Sequence, residues 1–349
     1  MVKIHTVATA VPSISRSTDD IIPLISQWLN GQDDRLQRKA KKIFRNAGVD
    51  HRYSMLKPDE VFSTSEFADR NDIYIKESIS LAKIAMQRAL DKANWVADEI
   101  DFLITVSCTG IMIPSIDAYL INAFDMPQNT VRLPVTEMGC AAGVSGIIYA
   151  TNFLKANPEK RAAVVAVESP MATFQTDDYS MVNIVSAAIF GDGAACALLS
   201  SKEEDIGPEV IHHEMYHFFD STELMGFDLR KGGLHMVLDQ SVPDKIEEHF
   251  EHIIHPFLSQ IDLSIQDIEH LIFHPGGKKI VQIVETLFGE LGKSIEDTKE
   301  VLRLFGNMSS ATVLFVLERF MNGELESGSY GLMLSFGPGF SAQRVLLKW

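Results

Sequence analysis

The chain is poor in several features that would each name a class of protein. Three cysteines in 349 residues (Cys108, Cys140, Cys196) make no disulfide framework, so a reducing, cytoplasmic compartment is expected. No stretch of about 18 apolar residues occurs, and no membrane-spanning helix is expected. The opening MVKIHTVATAVP alternates like a strand and has no continuous apolar segment, so no signal peptide is expected. Cations are scarce: 31 Lys and Arg stand against 47 Asp and Glu, a net charge of −16. That balance argues against a general nucleic-acid or anionic-membrane binder, because phosphate recognition needs a basic face. An anionic small molecule would need a local basic patch. Low-complexity tracts and Pro/Gly/Ser linkers are missing too. The one seam is SSKEEDIGPE (Ser200 to Glu209), which divides the chain into halves 1–204 and 205–349. What remains is 46% hydrophobic and 22% charged, the composition of a soluble globular protein with a sizeable core.

The two halves carry one pattern. ADEIDFLITVS, from Ala97, matches SIQDIEHLIFHP, with Ile100, Leu103 and Ile104 opposite Ile268, Leu271 and Ile272. Upstream, Ala82, Ala85, Met86, Ala89 and Leu90 match Phe250, Ile253, Ile254, Phe257 and Leu258, both at the 3, 4 spacing of a helix's buried stripe. Downstream, GCAAGVSGIIYATNFL from Gly139 matches GNMSSATVLFVLERFM from Gly306, and Val164 to Val167 match Leu332 to Ser335. A match held through helix, strand, helix and strand indicates a duplicated α/β unit. It makes Cys140 and Asn307 equivalents at the starts of two symmetry-related helices.

Cys140 is expected in a first helical turn, where free amides and the helix dipole favour an anion and lower a thiol's pKa. Gly139, Ala141, Ala142, Gly143 and Gly146 are small enough for that helix to pack closely on neighbouring backbone. A packed core cysteine fits the local spacing equally well. His274 follows a strand and precedes Pro275-Gly276-Gly277, which forces a turn; Asn307 reads locally as a helix N-cap or a site residue. Thiol, imidazole and carboxamide meeting in one cleft form a set for acyl transfer, with donors for an oxyanion.

With these residues in hand, the sequence resembles the type III polyketide synthases, the chalcone-synthase-like branch of the thiolase-fold condensing enzymes. The carrying segments are SCTGIMIPSIDAYL, MGCAAG, IFGDGAA, FHPGG, GNMSSATVLFVL and SFGPG, in the family's order over nearly the whole chain. The resemblance implies a thiolase-like αβαβα body of two pseudo-symmetric halves. It makes Cys140 the acyl-accepting nucleophile and His274 with Asn307 the pair that binds the thioester and promotes decarboxylation. Malonyl-CoA would lose CO2, and the enolate would attack the acyl group on Cys140; repetition and cyclisation would give a pyrone, resorcinol or other polyhydroxylated aromatic. Coenzyme A thioesters are then substrates, with no separate cofactor and no metal.

By the same resemblance Phe190 is a gatekeeper between the coenzyme A tunnel and the cavity. Cys108, Thr109, Thr173, Phe227, Met236 and Ser309 line the cavity, and Phe336, Gly337, Pro338 and Gly339 shape its wall. Ser335 stands where the family has glycine, and Cys108 where plant members carry threonine. Ile113 matches a residue that crosses into a partner's cavity, which implies a homodimer. Arg52 matches a phosphate-contacting arginine; Lys57, Lys278 and Lys279 are further candidates for coenzyme A's phosphates.

Three rival readings use the same residues. His213-Glu214-Met215-Tyr216-His217 is a full H-E-x-x-H match, which on a helix would bind zinc, with His235 or Glu223 as a third ligand. Its flanks, Val210, Ile211, Tyr216, Phe218 and Phe219 after Gly207-Pro208, favour a strand. There the two histidines stand about 13 Å apart, too far for one ion. The order Cys, His, Asn also suits a papain-like hydrolase. A 3-oxoacyl-carrier-protein synthase of the initiating type shares both fold and triad.

Overall fold

The computed structural model describes residues 1–63 and 66–349. Its strands are β1 (Lys3–Ala10), β2 (Ile14–Ser17), β3 (His51–Ser54), β4 (Phe102–Val106), β5 (Val131–Val135), β6 (Arg161–Glu168), β7 (Gly193–Ser200), β8 (Glu209–His217), β9 (Met225–Arg230), β10 (Gly233–Leu238), β11 (Ile268–Phe273), β12 (Tyr330–Gly337) and β13 (Ser341–Lys348). Nine of them run in the order β11-β12-β13-β8-β1-β7-β6-β4-β5. From the centre outward, β1-β7-β6-β4 is answered by β8-β13-β12-β11, with matching directions: β4 is parallel to β6, and β11 to β12. β6 is antiparallel to β7, and β12 to β13. The duplication read from the sequence is therefore one of topology. β5 alone has no counterpart, and it forms a free edge. The 204/205 division falls in the segment between β7 and β8, where the halves join through a short contact of β1 with β8 at Lys3 and Glu209.

Helices cover both outer sides and fill the middle. Phe67–Ala93 buries Ala82, Ala85, Met86, Ala89 and Leu90 against the first half, as the sequence pattern requires. Val242–Ser259 buries Phe250, Ile253, Ile254, Phe257 and Leu258 against the second. Between the halves lie Ala142–Ala156 and Thr312–Asn322, whose buried faces share one apolar cluster. The result is five layers, αβαβα. Small residues permit the middle layer: a Cβ on Gly143 would lie 2.2 Å from the Ser310 carbonyl oxygen, and one on Gly146 would lie 2.5 Å from Val164.

Two expectations change in register or geometry. The paired central helices begin at Ala142 and Thr312, each after a 3-10 turn, Gly139–Ala141 and Ser309–Ala311. Aligning them sets Cys140 opposite Ser310, so Cys140 and Asn307 are not strict equivalents. Asn307 lies between the Glu296–Phe305 helix and the second 3-10 turn, where it forms an isolated bridge with Phe190. The H-E-x-x-H segment is β8, paired along β13 with His213 opposite Val345 and His217 opposite Ser341. Glu214 accepts from Arg344 at 3.1 Å and from Gln260 at 2.8 Å. A strand separates the two imidazoles, and the zinc-helix reading falls.

Candidate active site

Cys140, His274 and Asn307 line one cavity of about 600 Å³. Each arrives by a different piece of backbone. Gly139 has φ +50°, a left-handed conformation that suits glycine, and a Cβ there would strike Pro338 at 2.6 Å. The next residue, Cys140, is thereby delivered at the head of the central helix. His274 follows the last residue of β11; its amide donates to the Leu334 carbonyl at 2.9 Å, and its own carbonyl accepts from Gly276 at 2.9 Å. Asn307 follows Gly306, at φ +72°, and is tied to the Phe190 segment. Its amide donates to Ile189 at 2.8 Å, and its carbonyl accepts from Gly191 at 3.0 Å.

The Asn307 carboxamide is oriented by its neighbours. Oδ1 accepts from the Ser309 amide at 2.8 Å, while Nδ2 donates to the Gly276 carbonyl at 3.2 Å, which leaves its second hydrogen for a ligand. His274 is buried, and among the described residues neither ring nitrogen has a hydrogen-bond partner. The Cys140 thiol donates to Ser309 Oγ at 3.5 Å. Ser309 reaches the thiol from φ +49°, unusual for a residue with a side chain.

The electrostatics correct one expectation. Burial pushes the Cys140 thiol up to about 12, against the lowering contacts of Ser309 and Asn307. Burial also lowers His274 to about 3. Desolvation therefore outweighs the helix start and disfavours charge on both groups.

The other expected residues divide. Phe190, Cys108, Thr109, Phe227, Met236, Ser309, Phe336 and Pro338 line the cavity with the triad. Gly339 and Ile113 line a second space of about 630 Å³ that shares Cys108 and Phe227 with the first; Ile113 is 96% exposed. Gly337 presses on the nucleophile's turn, since a Cβ there would lie 2.5 Å from the Met138 carbonyl oxygen. Thr173 lines neither space and spends its hydroxyl on the Pro170 carbonyl at 2.8 Å. Lys278 and Lys279 do line the cavity, Lys279 paired to Asp244 at 2.7 Å.

Arg52 does not fit the role expected of it. It is buried, donates to the Ala187 carbonyl and to Thr18 Oγ1, and stacks over Phe44, a structural arginine turned inward. Lys57 stands off the cavity in a surface pair with Glu60 at 3.9 Å. Sequence reasoning missed two features. Lys39, Ile43 and Asn46 of the Asp34–Asn46 helix line the cavity, and the helix's dense basic run was the available signal. Glu168, at the end of β6, is fully buried behind the cavity and accepts from Ser310, Thr109 and the Cys108 amide at 2.6, 2.8 and 3.0 Å. Its strand context hid it.

Five layers and a thiol-imidazole-amide cavity between pseudo-equivalent halves define a thiolase-like condensing enzyme. Residues 12–211 match the FAE1/type III polyketide synthase-like family, and residues 211–349 match the C-terminal domain of chalcone and stilbene synthases. A putative chalcone synthase of Bacillus subtilis is 30% identical over 320 residues, covering 88% of this chain and 87% of the relative. The 1,3,6,8-tetrahydroxynaphthalene synthase of Streptomyces coelicolor is 32% identical over 315 residues, covering 89% and 83%. The crystal structure of that synthase superposes with a TM-score of 0.93 at 29% identity, covering 99% of both chains. The chain belongs to the type III polyketide synthases, acyltransferases that condense malonyl units iteratively from coenzyme A thioesters. Among the described residues no helix is long and apolar enough to cross a membrane.

Proposed function

We propose that Cys140 is the acyl-accepting nucleophile and that His274 and Asn307 bind and activate the malonyl thioester. The observation that carries this reading is the convergence of a thiol, an imidazole with both nitrogens unpartnered and a carboxamide with a spare hydrogen on one cavity. The Cys140 proton passes to His274 as the thiol attacks the starter thioester, and then leaves with the coenzyme A sulfur. Malonyl-CoA next enters with its thioester oxygen toward His274 and Asn307 Nδ2. Loss of CO2 puts negative charge on that oxygen, and each donor stabilises it by about 3–4 kcal/mol. The enolate carbon attacks the acyl group on Cys140, forming the carbon–carbon bond and breaking the acyl carbon–Sγ bond, so that the Cys140 thiolate leaves with the negative charge. A mostly apolar cavity strengthens these donors and limits the water around the poly-β-keto chain.

Phe227 and Met236 place bulky side chains on the wall of the cavity of about 600 Å³, which favours a small starter and a short polyketide that closes to a polyhydroxylated aromatic. Relatives at 27–32% identity include synthases of tetrahydroxynaphthalene, phloroglucinol and 3,5-dihydroxyphenylacetyl-CoA, which supports that product class. A homodimer belongs to this reading: Ile113 projects nearly free of its own subunit, and β5 offers an unpaired edge. The deciding experiment is incubation of purified protein with malonyl-CoA, alone and with short- and long-chain acyl-CoAs, followed by mass analysis. Polyhydroxylated aromatics from malonyl-CoA, alone or with a short starter, are expected. Hydrolysis without carbon–carbon bond formation would overturn the condensing reading.

A further inference from the structure

Among the described residues the protein buries four arginines, Arg52, Arg70, Arg161 and Arg344. Three of them face acids. Arg161 pairs with Asp205 at 3.1 Å, Arg344 pairs with Glu214 at 3.1 Å, and Arg70 feels Asp177 and Glu66. Arg52 has no such company. Its Nη1 and Nη2 donate to the Ala187 carbonyl and to Thr18 Oγ1, but its Nε has no hydrogen-bond partner. Carbonyl and hydroxyl oxygens satisfy donors without neutralising the charge. Burial accordingly lowers the guanidinium to about 10, with no acid drawing it back.

A second arginine stands directly against it. Arg16 and Arg52 are cross-strand partners in the β2–β3 ribbon, so their side chains leave the same face. Like charges directly opposite one another destabilise a strand pair. Arg16 is exposed, donates to the Ser15 carbonyl at 2.9 Å and makes no ion pair. Asp20 feels Arg16, but its carboxylate is held by the Ser17 amide and hydroxyl at 3.2 and 2.7 Å. Both arginines line a void of about 50 Å³ that shares no lining residue with the catalytic cavity. Ile14, Ile25, Phe44, Leu56, Phe62 and Phe174 are among its walls, and Ser54 is its one other polar residue.

Two cations without an anion, set beside an apolar void, suit an anion with an apolar tail. A solvated surface pair would not bury one of its members, and a phosphate or dicarboxylate would press further charge on apolar walls. Size restricts the tail: a water-sized group needs about 10–15 Å³, so the void takes about four. We propose that this pocket binds a short aliphatic monocarboxylate, its carboxylate between Arg16 and Arg52 and its alkyl tail in the void. The site adjoins the catalytic cavity without belonging to it. Arg52 holds Ala187 on the Met181–Ile189 helix, whose Met181, Val182, Val185 and Ile189 line that cavity. An occupant that engages Arg52 therefore bears on a wall of the catalytic cavity.

The test titrates the purified protein with acetate, propionate and butyrate in chloride-free buffer and follows binding by ligand-observed NMR. Saturable binding is expected, tightening about fourfold with each methylene from acetate to butyrate. Arg52→Gln should weaken butyrate about tenfold or more, and the exposed Arg16→Gln about threefold or more. Ala187→Leu fills the void with both arginines in place and should remove the gain with chain length. Neither Arg16 nor Ala187 lines the catalytic cavity, so losses in these variants report this pocket and not that one. Should Arg52→Gln fail to fold, the other two variants carry the test. Butyrate binding that Arg16→Gln and Ala187→Leu leave unchanged overturns the proposal. So does inorganic phosphate binding as tightly as butyrate, or the lack of any saturable binding.

Discussion

The two halves of this protein are built alike and do different work. Each turns through a 3-10 segment into a buried central helix, the first half arriving from β5 and the second from the Glu296–Phe305 helix. The first half ends its approach in a thiol at Cys140. The second contributes an imidazole just after β11 and a carboxamide just before its 3-10 turn. Duplication supplies two helix starts in contact; divergence of a few residues gives one a thiol and the other a carboxamide. Under the proposed roles, a shared scaffold separates loading from activation in sequence while joining them in space.

The sharpest break of that comparison is Cys140→Ala. Removing the first half's thiol should cut product formation by on the order of 10⁴ or more, with thermal unfolding little changed, while the second half still decarboxylates malonyl-CoA. Polyketide made by this variant would show that the halves are not divided as described. The reciprocal change, Asn307→Ala, should slow condensation about 10²–10³-fold and leave loading of Cys140 within about tenfold. Equal loss in burst-phase loading and in steady-state condensation would erase the distinction.

The halves should also fail at opposite ends of the pH scale. His274 is lowered to about 3, so the unfolded chain takes up its proton first. Its contribution is fully present above pH 6.5 and is lost as pH falls toward 3. Cys140 is raised to about 12, so its contribution is lost as pH rises from about 9 toward 12. Each is worth a few kcal/mol at most, on the order set by linkage. His274→Gln should flatten the acid limb of urea-denaturation stability, and Cys140→Ser the alkaline limb. A His274→Gln protein with an unchanged acid slope would show that imidazole is not buried neutral.

The smallest expected effect tests the contact between halves. Gly143→Ala would set a methyl 2.2 Å from the Ser310 carbonyl oxygen and force the two turns apart. A loss of about 1–3 kcal/mol is expected, with a drop in condensation larger than in loading. Unchanged melting temperature and turnover would mean the turns need not touch.

Much of this was legible beforehand because periodicity reports burial. The stripes Ala82 to Leu90 and Phe250 to Leu258, the apolar run of β4, and the small residues around Cys140 each have one low-energy use, and the fold uses them so. Family motifs carried Cys140, His274 and Asn307 to one cavity. Linear matching failed where backbone shifts by a turn: Cys140 aligned with Asn307 in sequence, but the helices set it opposite Ser310. It failed again for Arg52 and Thr173, whose side chains are spent on neighbouring carbonyls, because a motif names a residue without saying where its polar atoms point. The basic helix was visible in composition, yet nothing linear placed it beside the cavity.

The sequence by itself determined the duplicated layers, the central helices and which side chains the proposed chemistry draws on, since apolar period and side-chain chemistry are local properties. Only the tertiary structure decided that burial works against charge on the thiol and imidazole and that the Asn307 amide meets the Gly276 carbonyl. It also decided that one cationic helix stands at the entrance. Those outcomes follow from desolvation and from contacts between segments far apart in the chain, which no local pattern encodes.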